Sequence, residues 1–183
     1  MQPSRPSIET RAVRLTGQQP GGVEMIGERS EMLLRRIVEI ERTLSVQEWW
    51  LLARDLPEAR LLSELSSVLA VARGELEHFL AEFFGQPLSG ADSTEMSALK
   101  SDDDLTFHLQ DPMWLRSQRT QAIELLRMAA RSLPPMRQFA QMLHSAGERV
   151  GLAVSALDAL RVVDEHLNDA YELLLHPPEQ ANS

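Results

Sequence analysis

The stretch PMRQFAQMLHSAGERVGLAVSALDALRVVDEHLNDAYELLL, residues 135–175, decides the fold of this chain. Side chains of one seam recur there at alternating spacings of four and three residues over about five heptads, and nearly all of them are apolar. They are Phe139, Leu143, Ala146, Val150, Ala153, Leu157, Leu160, Asp164, Leu167, Tyr171 and Leu174. This rhythm is typical of a helix that buries one face against other helices. We therefore predict a long, heptad-patterned C-terminal helix.

The length of this helix needs an explanation. Unbroken, it would be about 60 Å long at 1.5 Å per residue, which is longer than any other helix that the sequence predicts. Gly151 could break it, two shorter helices could stack along it, or its far end could pair with a second copy. A lone glycine costs a helix only about 1 kcal/mol relative to alanine. We therefore favour the last two arrangements, and predict a homodimer through residues 135–175.

Three further helices are predicted upstream, over about 23–44, 57–84 and 112–131. The first is marked by apolar residues on one face, namely Ile26, Leu33, Ile37, Ile40 and Leu44. Gly85 stands where a left-handed C-terminal cap belongs, so it should end the second helix. Asp111 followed by Pro112 is a helix start, with a capping side chain before a proline in the first turn. Residues 132–135 are expected to turn the chain.

One short extra helix is predicted between the first two. Ser45 with Glu48 has the spacing of a capping box, and this helix would carry Trp49 and Trp50. The periodicity is helical throughout, without convincing strand alternation. The predicted fold is therefore all-α: an antiparallel four-helix-bundle-like domain, with the long C-terminal helix and one short extra helix.

The domain organisation follows from these segments. Residues 23–175 should form a single helical domain, with a long acidic loop at 86–110. Proline and glycine are frequent in residues 1–22, which we expect to be a disordered tail. Residues 176–183 should form a second disordered tail.

Composition limits the function. The 183 residues carry a net charge of −9, which disfavours nucleic acid and favours a basic protein partner. The absence of cysteine rules out thiolate metal sites and fits a reducing compartment, so we predict a cytoplasmic protein. Since no apolar run approaches the roughly 20 residues that span a bilayer, no membrane span is predicted.

Missing motifs limit the chemistry that the chain can perform. The chain has no Gly-x-Ser-x-Gly elbow and no glycine-rich phosphate loop, so we predict neither an enzyme nor a bound cofactor. A carboxylate-bridged di-metal site needs two Glu-x-x-His pairs, and only Glu75 with His78 supplies one, because Val163 precedes His166 at that spacing. No metal site is therefore predicted. A bundle that binds a metal or a small ligand through His78, His144 and His166 is the alternative hypothesis.

The tryptophans and one aspartate are candidates for binding and for helix pairing. Trp49, Trp50 and Trp114 are candidate partner-binding residues, because partly exposed tryptophan is favoured at interfaces, although tryptophan also plugs the ends of bundles. Asp164 occupies a heptad core position, so it either faces water beyond the core or fixes the helix register through an arginine of a neighbouring helix.

These patterns favour a non-enzymatic protein–protein interaction module, such as an adaptor, a chaperone-like protein or a regulatory subunit. It would present a helical groove or its tryptophan-bearing edge to a partner helix. A structural subunit of a larger assembly is a second alternative.

Overall fold

The computed structural model describes residues 20–52, 55–85 and 111–178. Four helices account for most of them: α1 Pro20–Leu52, α2 Pro57–Phe84, α3 Pro112–Val150 and α4 Val154–Leu175. These described ranges contain no strand. The predicted all-α four-helix bundle is therefore confirmed, while several predicted helix boundaries are not.

The order of the helices around the bundle follows from their contacts. Helices α1 and α4 each pack against both α2 and α3, so α2 and α3 lie diagonally opposite each other. Near the start of α1, a Cβ added to Gly22 would meet Val150, and one added to Gly27 would meet Phe84. The C-terminal ends of α2 and α3 therefore lie beside the start of α1. Neighbouring helices are antiparallel, and the topology has one long crossover, between α2 and α3.

The core runs along the inside of all four helices. Its largest fully buried side chains are Phe79, Ile26, Leu33, Ile37, Leu44, Leu51, Leu62, Leu65, Leu69, Leu76, Leu133 and Met136. Helix α4 contributes Ala156, Leu160, Val163, Leu167 and Ala170. Their burial supplies the main driving force for folding.

Helix α1 is continuous where we predicted a separate short helix. The Ser45 hydroxyl donates to the Glu41 carbonyl at 2.9 Å, so it bonds back into its own helix instead of capping a new one. No glycine or proline interrupts the chain between Leu44 and Leu52. The prediction of a short extra helix was wrong, and its tryptophans belong to the end of α1.

The prolines of α3 do not turn the chain either. Pro134 and Pro135 lie inside α3 with exposed rings, between the buried side chains of Leu133 and Met136. Each proline removes one backbone hydrogen bond. Core packing on both sides of the pair holds the helix together despite this loss, so the predicted turn at 132–135 was wrong.

The chain turns instead at Gly151. Its φ of 71° lies in the left-handed region, and the Leu152 N–H donates to the Gly147 carbonyl at 2.9 Å while the Gly151 N–H donates to Glu148 at 3.1 Å. This pair of bonds is a Schellman cap. Helix α4 folds back onto α3, so the predicted continuous helix over 135–175 was wrong. The homodimer predicted through that helix loses its structural basis.

The remaining predicted boundaries lie at the ends of the chain and between α2 and α3. The start of α1 at Pro20 is three residues earlier than the domain boundary predicted at Val23. The predicted loop at 86–110 lies outside the described residues, as do 1–19 and 179–183. Within the described ranges, no helix is both long and apolar enough to cross a membrane.

Candidate functional site

One ion pair shows which helix ends meet. Arg119 of α3 donates to Glu58 Oε1 of α2 from Nε at 3.1 Å and from a terminal nitrogen at 2.5 Å. The hydrogen bond and the charge of Glu58 raise the pKa of Arg119 above its ordinary value. The first turn of α2 therefore lies beside the first turns of α3, and the short α1–α2 connection brings the end of α1 to the same place.

The three tryptophans gather at this end of the bundle. Trp49 and Trp50 lie in the last turn of α1, and Trp114 lies in the first turn of α3. We call this end, formed by residues 49–52, 55–60 and 111–119, the tryptophan end. Trp114 is half-buried. The side chains of Trp49 and Trp50 lie outside the described part of the chain.

Helix α3 begins at the tryptophan end with an exposed methionine. The six residues from Met113 to Gln118 precede Arg119 in α3 and cover about 9 Å along the helix axis, at 1.5 Å per residue. Met113 is 79% exposed there. Its backbone N–H donates to Asp111 Oδ1 at 2.9 Å, an N-cap that holds the first turn in place.

The aspartate two positions before α2 is tied to that helix. Asp55 has a φ of 50°, in the left-handed region that aspartate tolerates better than most residues. Its Oδ1 accepts from Arg60 Nε at 3.0 Å, so the turn is tied to the first turn of α2. At the tryptophan end, Asp111 thus caps the start of α3, and Asp55 is tied to the first turn of α2.

A cleft of about 370 Å³ opens between α1 and α3, in the middle of the bundle. It is lined by Arg36, Glu39, Ile40, Thr43, Met128, Arg131, Ser132, Pro135 and Met136. We call it the α1–α3 cleft. Sequence reasoning missed it, because its walls are more than eighty residues apart in the chain. The only local signal was a run of polar residues beside the apolar seam of α1.

Asp164 contacts the neighbouring helix. Its Oδ1 accepts from Arg137 Nε of α3 at 3.0 Å, and both carboxylate oxygens lie 3.2 Å from the side-chain amide nitrogen of Gln141. The Asp164 side chain is 21% exposed. Of the two predicted environments, this geometry matches an arginine contact across a helix pair, whereas Arg161 pairs within α4 with Glu165. That the contact fixes the register stays a prediction.

The three histidines each have a carboxylate neighbour on their own helix. The distances are 3.2 Å for His78 to Glu82, 3.9 Å for His144 to Glu148 and 3.7 Å for His166 to Asp169. Across the described residues, no group of three or more histidine, aspartate or glutamate side chains is arranged to hold a metal ion. The structure does not bring His78, His144 and His166 together as a ligand set.

Comparison of the chain with protein-family models, with curated proteins and with solved structures finds no match. The fold defines a class, the all-α four-helix bundle with one crossover, and bundles of this kind serve many functions. Within the described residues, the tryptophan end and the α1–α3 cleft are therefore the two candidate binding sites.

Proposed function

We propose that this chain is a non-enzymatic protein–protein interaction module, an adaptor, chaperone-like protein or regulatory subunit, which binds its partner through the tryptophan end. The observation that supports this most is the position of Trp49, Trp50 and Trp114 at one end of the bundle, next to Met113 at 79% exposure. Tryptophan and methionine are enriched where protein interfaces are buried.

The rigidity of this end favours binding. The Asp111 cap and the Glu58–Arg119 ion pair hold the first turns of α3 before any partner arrives. A surface that is already ordered loses less conformational entropy on association than a flexible one. More of the energy from burying apolar side chains then remains as affinity.

Charge bears on the kind of partner. A net charge of −9 gives the molecule an acidic field, which speeds its encounter with basic proteins and opposes binding to nucleic acid. We therefore expect a partner that is basic overall.

Affinity capture from extract of the native cells tests the proposal. The tagged protein should retain a stoichiometric partner, and Trp49→Ala, Trp50→Ala or Trp114→Ala should reduce the retained amount by about tenfold, which corresponds to about 1.4 kcal/mol. Met142→Ala is the matched control, because Met142 is 53% exposed on α3 but lies far from the tryptophan end.

Two results would contradict the proposal. One is capture of no protein except the chain itself. The other is a partner whose retention is unchanged in all three tryptophan variants, provided that circular dichroism shows each variant to be folded.

A further inference from the structure

We infer that the α1–α3 cleft is a second contact for the partner, and that it receives a helical turn carrying a carboxylate next to an apolar side chain. This inference rests on the proposed function, and it specifies the chemistry of the partner. The partner can still be basic overall, since only the inserted turn needs an acidic residue.

The pairing of the arginines gives the first reason. Most arginines of the described ranges contact a carboxylate, namely Arg35, Arg60, Arg73, Arg119, Arg127, Arg137 and Arg161. Five exposed arginines have no carboxylate partner within the described part of the chain, namely Arg29, Arg36, Arg116, Arg131 and Arg149. Of these, Arg36 and Arg131 line the cleft. Against these two guanidinium groups the cleft lining has one carboxylate, that of Glu39.

Such a pair suits a carboxylate ligand. Guanidinium groups present planar arrays of N–H donors that match carboxylate oxygens, and these charge-assisted bonds are stronger than neutral ones. Two arginines without carboxylate partners on the walls of one cleft therefore favour an acidic group from outside.

The backbone of α3 adds an acceptor at the same place. The carbonyl of Arg131 would normally accept from the N–H of residue 135 or, in a tighter turn, of residue 134. Both are prolines and have no N–H. The Arg131 carbonyl therefore receives no hydrogen bond from residue 134 or residue 135. Pro135, one of these two residues, also lines the cleft. A ligand with an N–H or O–H group can bond to this carbonyl.

Apolar side chains provide the remaining surface. Ile40 and Met136 are 7% and 2% exposed and form the base of the cleft, whereas Met128 is 38% exposed. Methionine adapts its shape to different partners. A volume of about 370 Å³ is suited to a few side chains and not to a whole helix, so one turn of a partner helix would insert.

Selection from a displayed library of helical peptides tests this inference. Enriched peptides should carry Asp or Glu one turn from a large apolar residue. In [methyl-13C]methionine NMR, adding such a peptide should shift the signals of Met128 and Met136 and leave that of Met113 in place.

Variants connect the binding to the two arginines. Arg36→Met and Arg131→Met should each weaken the peptide by about tenfold. Arg35→Met is the matched control, because Arg35 is an exposed arginine like Arg36 and adjoins it in the chain, but it is paired with Glu31 and does not line the cleft. Its affinity should stay within about twofold of the unaltered protein.

Several outcomes would overturn the inference: no enrichment, enriched peptides without acidic residues, or unchanged affinity in both cleft variants. Decanoate, a small carboxylate with an apolar tail, is added in a parallel NMR experiment. If it shifts the signals of Met128 and Met136 while no peptide does, the cleft binds a small carboxylate instead. If captured partner is lost in the tryptophan variants but not in Arg36→Met or Arg131→Met, the proposed function stands and this inference fails.

Discussion

Gly27 and Gly74 both lie inside helices, but their surroundings differ. A Cβ at Gly27 would lie 2.6 Å from Phe84 Cδ1, so Gly27 lets α1 and α2 approach closely. A Cβ at Gly74 would meet nothing within 4 Å. Only the three-dimensional structure distinguishes them, because the sequence shows two isolated glycines in similar helical patterns.

We predict opposite effects of alanine at these two positions. Gly74→Ala should raise the free energy of unfolding by about 0.5–1 kcal/mol, the usual gain of alanine over glycine in a helix. Gly27→Ala should lower it by about 1 kcal/mol or more, since overpacking outweighs that gain. Urea denaturation of both variants measures the difference, and a stabilised Gly27→Ala would contradict the close approach to Phe84.

The contact of Asp164 with Arg137 also acts at the scale of single residues. Asp164→Ala removes the acceptor for Arg137 and Gln141, and should lower the free energy of unfolding by about 1 kcal/mol. Asp158→Ala is the control, because that side chain is 61% exposed and should contribute less than about 0.5 kcal/mol. Equal losses in the two variants would argue against the inter-helix contact.

At the scale of helices, the turn residues were harder to predict than the helices themselves. Gly85 and Asp111 cap α2 and α3 as predicted, because each has a local conformational or hydrogen-bonding reason that the sequence shows. Whether Pro134, Pro135 and Gly151 end a helix depends instead on how the helices pack. Buried neighbours keep α3 intact through its prolines, and α4 gains its core contacts only if Gly151 ends α3.

The role of Gly151 leads to a prediction about that turn. Gly151→Ala should lower the free energy of unfolding by about 1–2 kcal/mol, because alanine is disfavoured at a φ of 71°. Gly151→Asn should lower it less, since asparagine tolerates the left-handed region better. Thermal unfolding followed by circular dichroism compares them, and an alanine variant as stable as the asparagine variant would argue against the Schellman cap.

For the whole molecule, heptad and helical spacings were enough to predict an all-α bundle and the buried face of α1. Within residues 135–175, only Leu143, Leu160 and Leu167 of the predicted seam are buried, and neighbouring residues such as Ala156 and Val163 complete the core face. They could not predict which helices are neighbours. The α1–α3 cleft depends on that arrangement, and so does the meeting of Trp114 with the end of α1. The sequence was enough to propose the tryptophans as binding residues. That all three lie at one end of the bundle could be seen only from the arrangement of the helices.

Hydrogen–deuterium exchange of the protein with and without its captured partner tests the central claim, that the tryptophan end is the binding surface. We predict slower exchange in the last turn of α1 and the first two turns of α3 when the partner is bound. Exchange should be unchanged at the opposite end, around the turn at residues 147–154. Protection at that turn, with none at the tryptophan end, would contradict the account.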